Sequence, residues 1–276
     1  VVLLVNEFIY DLTSYKSTLN SLAYFVKVKP NQLEILVLKY RNQVDNLYSK
    51  LINTFKIDIN KIDISNLYLK VLQVTTNDDN CESIKKYGLL GTQEAINKDT
   101  CLAKFLKNKE IEIDFNKETI AYKGEVYNKT QGQQNKHLRL CFTKLFSTYH
   151  YPINGFIYSD NPIHYGDRIY EKPEIVGNLS DTFCREIEKD WIKNTQCFII
   201  EFKSSIYNFD CSVFTDDKQL FEESRELVIK KWIIEQSLKV IHDLRCDNRS
   251  RDIYAYMNPN YKVEPNDIVR YIKVII

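Results

Sequence analysis

A change of hydrophobic period near residue 67 constrains this chain more than any other feature. Before it, Leu33, Leu36, Tyr40, Val44, Leu47, Leu51 and Phe55 recur at three- and four-residue steps, the stripe of an amphipathic helix. Pro30 suits a first helical position, where the amide hydrogen it lacks would have no partner. Residues 56–66, KIDINKIDISN, lose that period and read as a connector and a domain boundary. After them come short apolar runs of strand length: LYLKVLQVT (67–75), IEIDF (111–115), TIAYKGEVY (119–127, a hairpin about Gly124), INGFIY (153–158), CFIIEF (197–202), ELVIKKWI (226–233) and IVRYIKVII (268–276). A short helix through Ile84 and Tyr87 should end at Gly88 with positive φ. Further helices are expected near 100–108, 136–148, 180–195 and 216–224. The last of the 136–148 stretch takes in FSTYH (146–150), read as a helix end. Helices early and strands late, without regular alternation, make an α+β chain: a helical segment over 1–66 and a second domain over 67–276.

Composition and motifs exclude several chemistries. With 276 residues, 44% of them apolar, the chain can bury a core without covalent staples. Lys+Arg of 38 against Asp+Glu of 37 argues against a surface built wholly to grip phosphates, while leaving room for a local basic groove. Arg245, Arg249 and Arg251 form the one tight arginine cluster, a surface loop able to contact phosphates. The seven cysteines contain no CxxC and read as reduced cytosolic thiols. His137, His150, His164 and His242 form neither HExxH nor HxH, and no GxSxG, GxGxxG or P-loop occurs. No apolar run reaches membrane-spanning length, and no signal peptide is expected at the start. The expectation is a cytoplasmic protein without metal or membrane.

Three segments read better together than apart. VLQVTTNDDNCESIKKYGLLG (71–91) is a strand with Thr75–Thr76, a short helix with Ile84, then Gly-Leu-Leu. INGFIYSDNPIHYG (153–166) is a strand with Gly155, Phe156, Ile157 and Tyr158, then a loop to Tyr165. RELVIKKWIIEQSLKVI (225–241) reads as a strand opening at Glu226, followed by Gln236. In this order they resemble the ADP-ribosyltransferase fold, in its diphtheria-toxin/poly(ADP-ribose)-polymerase-like branch, with a layout close to the DarT-type DNA-modifying toxins and the RNA 2′-phosphotransferases. The resemblance covers roughly 67–276 and implies a split two-sheet β core. It implies NAD as substrate, held by Gln73, Thr75, Gly155, Tyr158 and Tyr165, with Glu226 catalytic. Gln73 stands where the family has a histidine, though a glutamine amide can also donate and accept. Ser224, two residues before Glu226, counts against transfer to protein arginines.

Splitting NAD at the nicotinamide–ribose bond passes through an oxocarbenium-like state. A carboxylate at a strand's mouth can stabilise that charge and act as base toward an acceptor, while tyrosines stack on the nicotinamide. The resemblance thus implies an NAD-dependent ADP-ribosyltransferase, an intracellular bacterial toxin or phage-defence effector. Its acceptor would be nucleic acid (DNA or RNA) or protein, and the N-terminal helical segment would bind an antitoxin or the acceptor. The rival reading is a catalytically inactive module binding NAD or nucleic acid on the same fold. Two more readings stay open: an RNA 2′-phosphotransferase, and a helical–β interaction protein with no NAD cleft.

Overall fold

The computed structural model describes residues 7–147, 153–166, 168–247 and 251–275. In chain order its elements are β1 (Phe8–Tyr10), α1 (Tyr15–Val26), α2 (Pro30–Lys39), α3 (Leu47–Phe55), β2 (Leu67–Asn77), α4 (Glu82–Tyr87), α5 (Thr92–Asn97), α6 (Cys101–Asn108), β3 (Ile111–Asp114), β4 (Thr119–Tyr122), β5 (Glu125–Tyr127), α7 (Lys129–Gln134), α8 (Lys136–Phe146), β6 (Asn154–Ser159), α9 (Glu174–Thr182), α10 (Glu186–Asn194), β7 (Gln196–Ser205), α11 (Lys218–His242), β8 (Asp252–Tyr256) and β9 (Ile268–Lys273). This is a mixed α+β fold with a helical stretch near the N-terminus and two multi-strand sheets. The chain forms two compact units, each assembled from separated stretches: residues 1–72, 155–160 and 203–256 make unit one, and 73–154, 161–202 and 257–276 make unit two.

In unit one the strand order is β8–β6–β2, with β1 also on β2. β1 runs parallel to β2, Phe8 opposite Leu67 and Tyr10 opposite Leu69, while β6 is antiparallel to β2, Phe156 opposite Leu72. Gly155 lets β6 approach: a Cβ there would sit 2.5 Å from the Leu72 carbonyl oxygen and 2.8 Å from Val71 Cγ1. Helix α1 starts on a capping box in which Ser14 and Ser17 satisfy each other's amides. It packs with α2 and α3 against α11, whose Ile229, Ile233, Ile234, Leu238 and Ile241 are buried. The fully buried Tyr10 meets Ser237 of α11 through a 2.6 Å hydroxyl–hydroxyl bond.

Two expectations in this unit need correction. The stripe from Leu33 to Phe55 is interrupted: α2 ends at Lys39 and α3 begins at Leu47, with a 3₁₀ turn at Val44–Asn46 between them. The run RNQVDN (41–46) supplies Asn and Asp side chains that compete with helical backbone bonding. More consequentially, 226–233 is helix, not strand. The helix expected over 216–224 does not stop; Ser224 (φ −141°, ψ 37°) kinks α11, which continues to His242. Sixteen residues of apolar character from Glu226 to Ile241 exceed ordinary strand length. The four-residue steps Ile229–Ile233–Ser237–Ile241 and Lys230–Ile234–Leu238 are helical, and both rows are buried.

In unit two β7 lies between β2 and β9. β7 and β9 are antiparallel, Phe198 opposite Lys273, with an irregularity between Glu201 and Phe202. The second sheet is the meander β3–β4–β5. Its β4–β5 turn holds Lys123 and Gly124 at φ 50° and 84°, the left-handed pair a two-residue hairpin requires. The core joins Leu102, Leu106, Ile120, Phe142, Leu179 and Trp191. Gly88 has φ 77°, as expected, and a Cβ there would also lie 1.8 Å from the Val263 carbonyl oxygen. The helix expected over 180–195 is two, α9 and α10, broken at Phe183–Arg185.

Candidate functional site

The residues expected to hold NAD are distributed over both units. Gln73 and Thr75 are half-buried on β2, in unit two. The Oε1 atom of Gln73 is buried without a hydrogen-bond partner. Tyr165, also in unit two, follows a 3₁₀ turn at Pro162–His164 and is 42% exposed. Gly155 and Tyr158 lie on β6 in unit one. Gly155 has the packing duty described above. Tyr158 is buried, and its hydroxyl donates to the Asp160 carboxylate. Burial, and then the Asp160 carboxylate, push that phenol well above its ordinary pKa. Its ring is core, so it offers no open stacking face.

Glu226 opens no strand. It sits near the kink of α11 with its side chain 61% exposed, and its carboxylate accepts from Lys230 Nζ at 3.0 Å. Lys230, with a side chain only 7% exposed, is the buried member of this i,i+4 pair, so the Glu226 carboxylate serves to compensate its charge. FSTYH is helix only to Phe146; Ser147 caps α8, and 148–150 lie outside the described residues. Arg249 of the arginine cluster lies outside them too.

Within unit one a different constellation gathers where β6 ends and β8 begins. β8, DIYAY, alternates: Ile253 and Ala255 are buried, while Asp252 is exposed and Tyr254 and Tyr256 are half-buried. Period two therefore puts Asp252, Tyr254 and Tyr256 on one face. The Tyr254 and Tyr256 rings are 6.2 Å apart, and Phe156 of β6 lies 5.8 Å from Tyr254. Ser159 Oγ, at the end of β6, donates to Asp252 Oδ1 at 2.6 Å. The result is a carboxylate oriented by a hydroxyl at the head of an aromatic row.

Behind it runs a polar chain. Asp160 accepts from the Arg251 amide at 2.9 Å, and Arg251 Nε donates to Asp243 Oδ2 at 2.6 Å. Asp243 Oδ1 lies 3.3 Å from His242 Nδ1, and His242 Nε2 is 2.8 Å from the Arg41 carbonyl oxygen. A carbonyl can only accept, so Nε2 donates there. His242 and Asp243 side chains are 1% and 7% exposed. Sequence reasoning missed this site because it assigned no strand to 252–256. The signal was present in DIYAYM, where polar and aromatic residues alternate with Ile, Ala and Met.

Among the described residues, no group of three His, Cys, Asp or Glu is arranged to hold a metal. No described helix is long and apolar enough to cross a membrane. Burial lifts the Cys101 thiol to about 12 and the Cys141 thiol to about 11, which leaves both protonated and unreactive near neutral pH. Unit two has a depression of about 460 Å³ whose walls include Phe115, Phe146, Tyr261, Glu94, Glu118 and Lys144. None of the residues expected to hold NAD lines it. No family model, curated protein or solved structure matches the chain.

Proposed function

We propose that the protein is an NAD-dependent ADP-ribosyltransferase whose carboxylate is Asp252 rather than Glu226. One observation carries this reading. Asp252 opens a strand, is oriented by Ser159 Oγ at 2.6 Å, and is followed at two-residue steps by Tyr254 and Tyr256. That is the chemistry a strand-mouth carboxylate needs, with aromatic faces beside it for a flat ring.

In the proposed reaction the bond between ribose C1′ and the nicotinamide nitrogen breaks, and both its electrons leave with neutral nicotinamide. The Asp252 carboxylate stabilises the cationic ribosyl carbon. A lone pair of the acceptor then forms the new bond at C1′, and its proton passes to Asp252. The acceptor is nucleic acid or protein, which the net charge of +1 leaves open. A toxin or defence role, with α1–α3 as a surface for an antitoxin, belongs to the same proposal.

A second reading, a module that binds NAD or nucleic acid without turnover, is favoured by the burial of Tyr158, which removes one expected stacking face. Nicotinamide release by the full chain, with RNA, DNA or protein acceptors added in turn, separates the two. Under the first reading Asp252→Asn lowers release by about 100-fold or more. Loss in Glu226→Gln with activity kept in Asp252→Asn would return the role to the helix. NAD binding without release in any mixture would favour the second reading.

A further inference from the structure

The buried Asp243–His242 pair at the end of α11 has no duty in the reaction as written, and burying a carboxylate is costly. Asp243 and His242 are almost fully enclosed, and a buried charge is tolerated only when paired and hydrogen-bonded. The helix here passes into a π-helical turn, Asp243–Asp247, a distortion that recurs at functional sites.

The bonds converge on one residue. Arg251 is held at its main chain by Asp160 Oδ2 (2.9 Å) and at its side chain by Asp243 Oδ2 (2.6 Å). Asp160 is itself held by the Tyr158 hydroxyl, and Asp243 faces His242, which is anchored on the Arg41 carbonyl. The next residue in the chain is Asp252. A backbone rotation at Arg251 that carried Asp252 away from Ser159 would have to stretch one of two charge-assisted bonds, which are stronger than neutral ones.

We propose that Asp243, backed by His242, is a positioning residue that sets the Asp252 carboxylate through Arg251. This rests on the reading that Asp252 is the reacting carboxylate. Asp243 touches no substrate. Its work is to keep the head of β8 from swinging, and a displacement of an ångström at a reacting group is enough to cost up to about 100-fold in rate.

The test is steady-state nicotinamide release by the full chain for wild type, Asp243→Asn, Asp243→Glu and His242→Gln, each normalised to its folded fraction by circular dichroism. Expected for Asp243→Asn is a kcat lower by about tenfold or more with KM for NAD changed less than about twofold. Asp243→Glu, which keeps the charge, is expected to recover at least part of that loss, and His242→Gln to show a smaller fall of the same kind. A wild type that is active, with Asp243→Asn matching it per folded molecule or altered in KM alone, overturns this inference and leaves the assignment of Asp252 standing. A wild type silent with every acceptor overturns both.

Discussion

One polar network in unit two and one in unit one are connected in opposite ways. In unit two Glu188, with a side chain only 13% exposed, is approached by three cations: Lys172, Arg168 at 3.6 Å and Arg185 at 4.0 Å. Arg168 also reaches Glu171, and Arg185 reaches Asp181 at 2.7 Å. The partners act in parallel, so losing one leaves the carboxylate compensated. In unit one the links act in series, from the Arg41 carbonyl through His242, Asp243 and Arg251 to Asp160 and Tyr158. Redundant pairs tolerate change and fix no single atom. A serial chain is fragile, but each link determines the position of the next. Under the proposal above, the serial chain fixes the head of β8, whereas the parallel pairs tie Glu188 of α10 to the segment before α9.

The contrast is broken most forcefully at Asp243. Asp243→Ala leaves the Arg251 guanidinium and the buried His242 ring without their carboxylate and is expected to cost about 3 kcal/mol, read as a lower midpoint in urea unfolding. Next comes Tyr10→Phe, expected to cost about 1 kcal/mol through the lost bond to Ser237. This variant also carries a pH signature. Burial raises the Tyr10 pKa, with the Ser237 bond pulling slightly back. A raised folded-state pKa means the proton's contribution is fully present below the unfolded value, about 10, and is lost as pH rises beyond it. The stability gap between wild type and Tyr10→Phe should therefore narrow above about pH 10; a constant gap would contradict the buried placement. Lys172→Ala, with Arg168 and Arg185 still on Glu188, is expected to cost no more than about 1 kcal/mol in the same unfolding assay. Arg185→Ala removes two pairs, to Asp181 and Glu188, whose arginine is 70% exposed, and a change beyond about 0.5 kcal/mol would break the distinction between parallel and serial.

Much of the fold was legible locally. β2, the β4–β5 hairpin, β6, β7, β9 and the positive φ at Gly88 followed from strand-length runs and glycine positions, because those signals are local. α11 was not, since Leu227, Val228 and Ile229 look strand-like until the four-residue rows to Ile241 are counted. The misreading put Glu226 at the mouth of a strand, whereas it lies on α11. β8 failed for the opposite reason: its five residues are short, and its burial depends on pairing with β6. The polar chain joins residues 41, 158, 160, 242, 243 and 251, brought together by tertiary packing that no local pattern records.

The most direct test of the account is the comparison of Asp252→Asn with Glu226→Gln for nicotinamide release from NAD, on the full chain in the acceptor mixture that gives wild-type turnover. Release abolished by the first substitution and retained by the second is the expected result. Release that survives Asp252→Asn would contradict the assignment of chemistry to the head of β8.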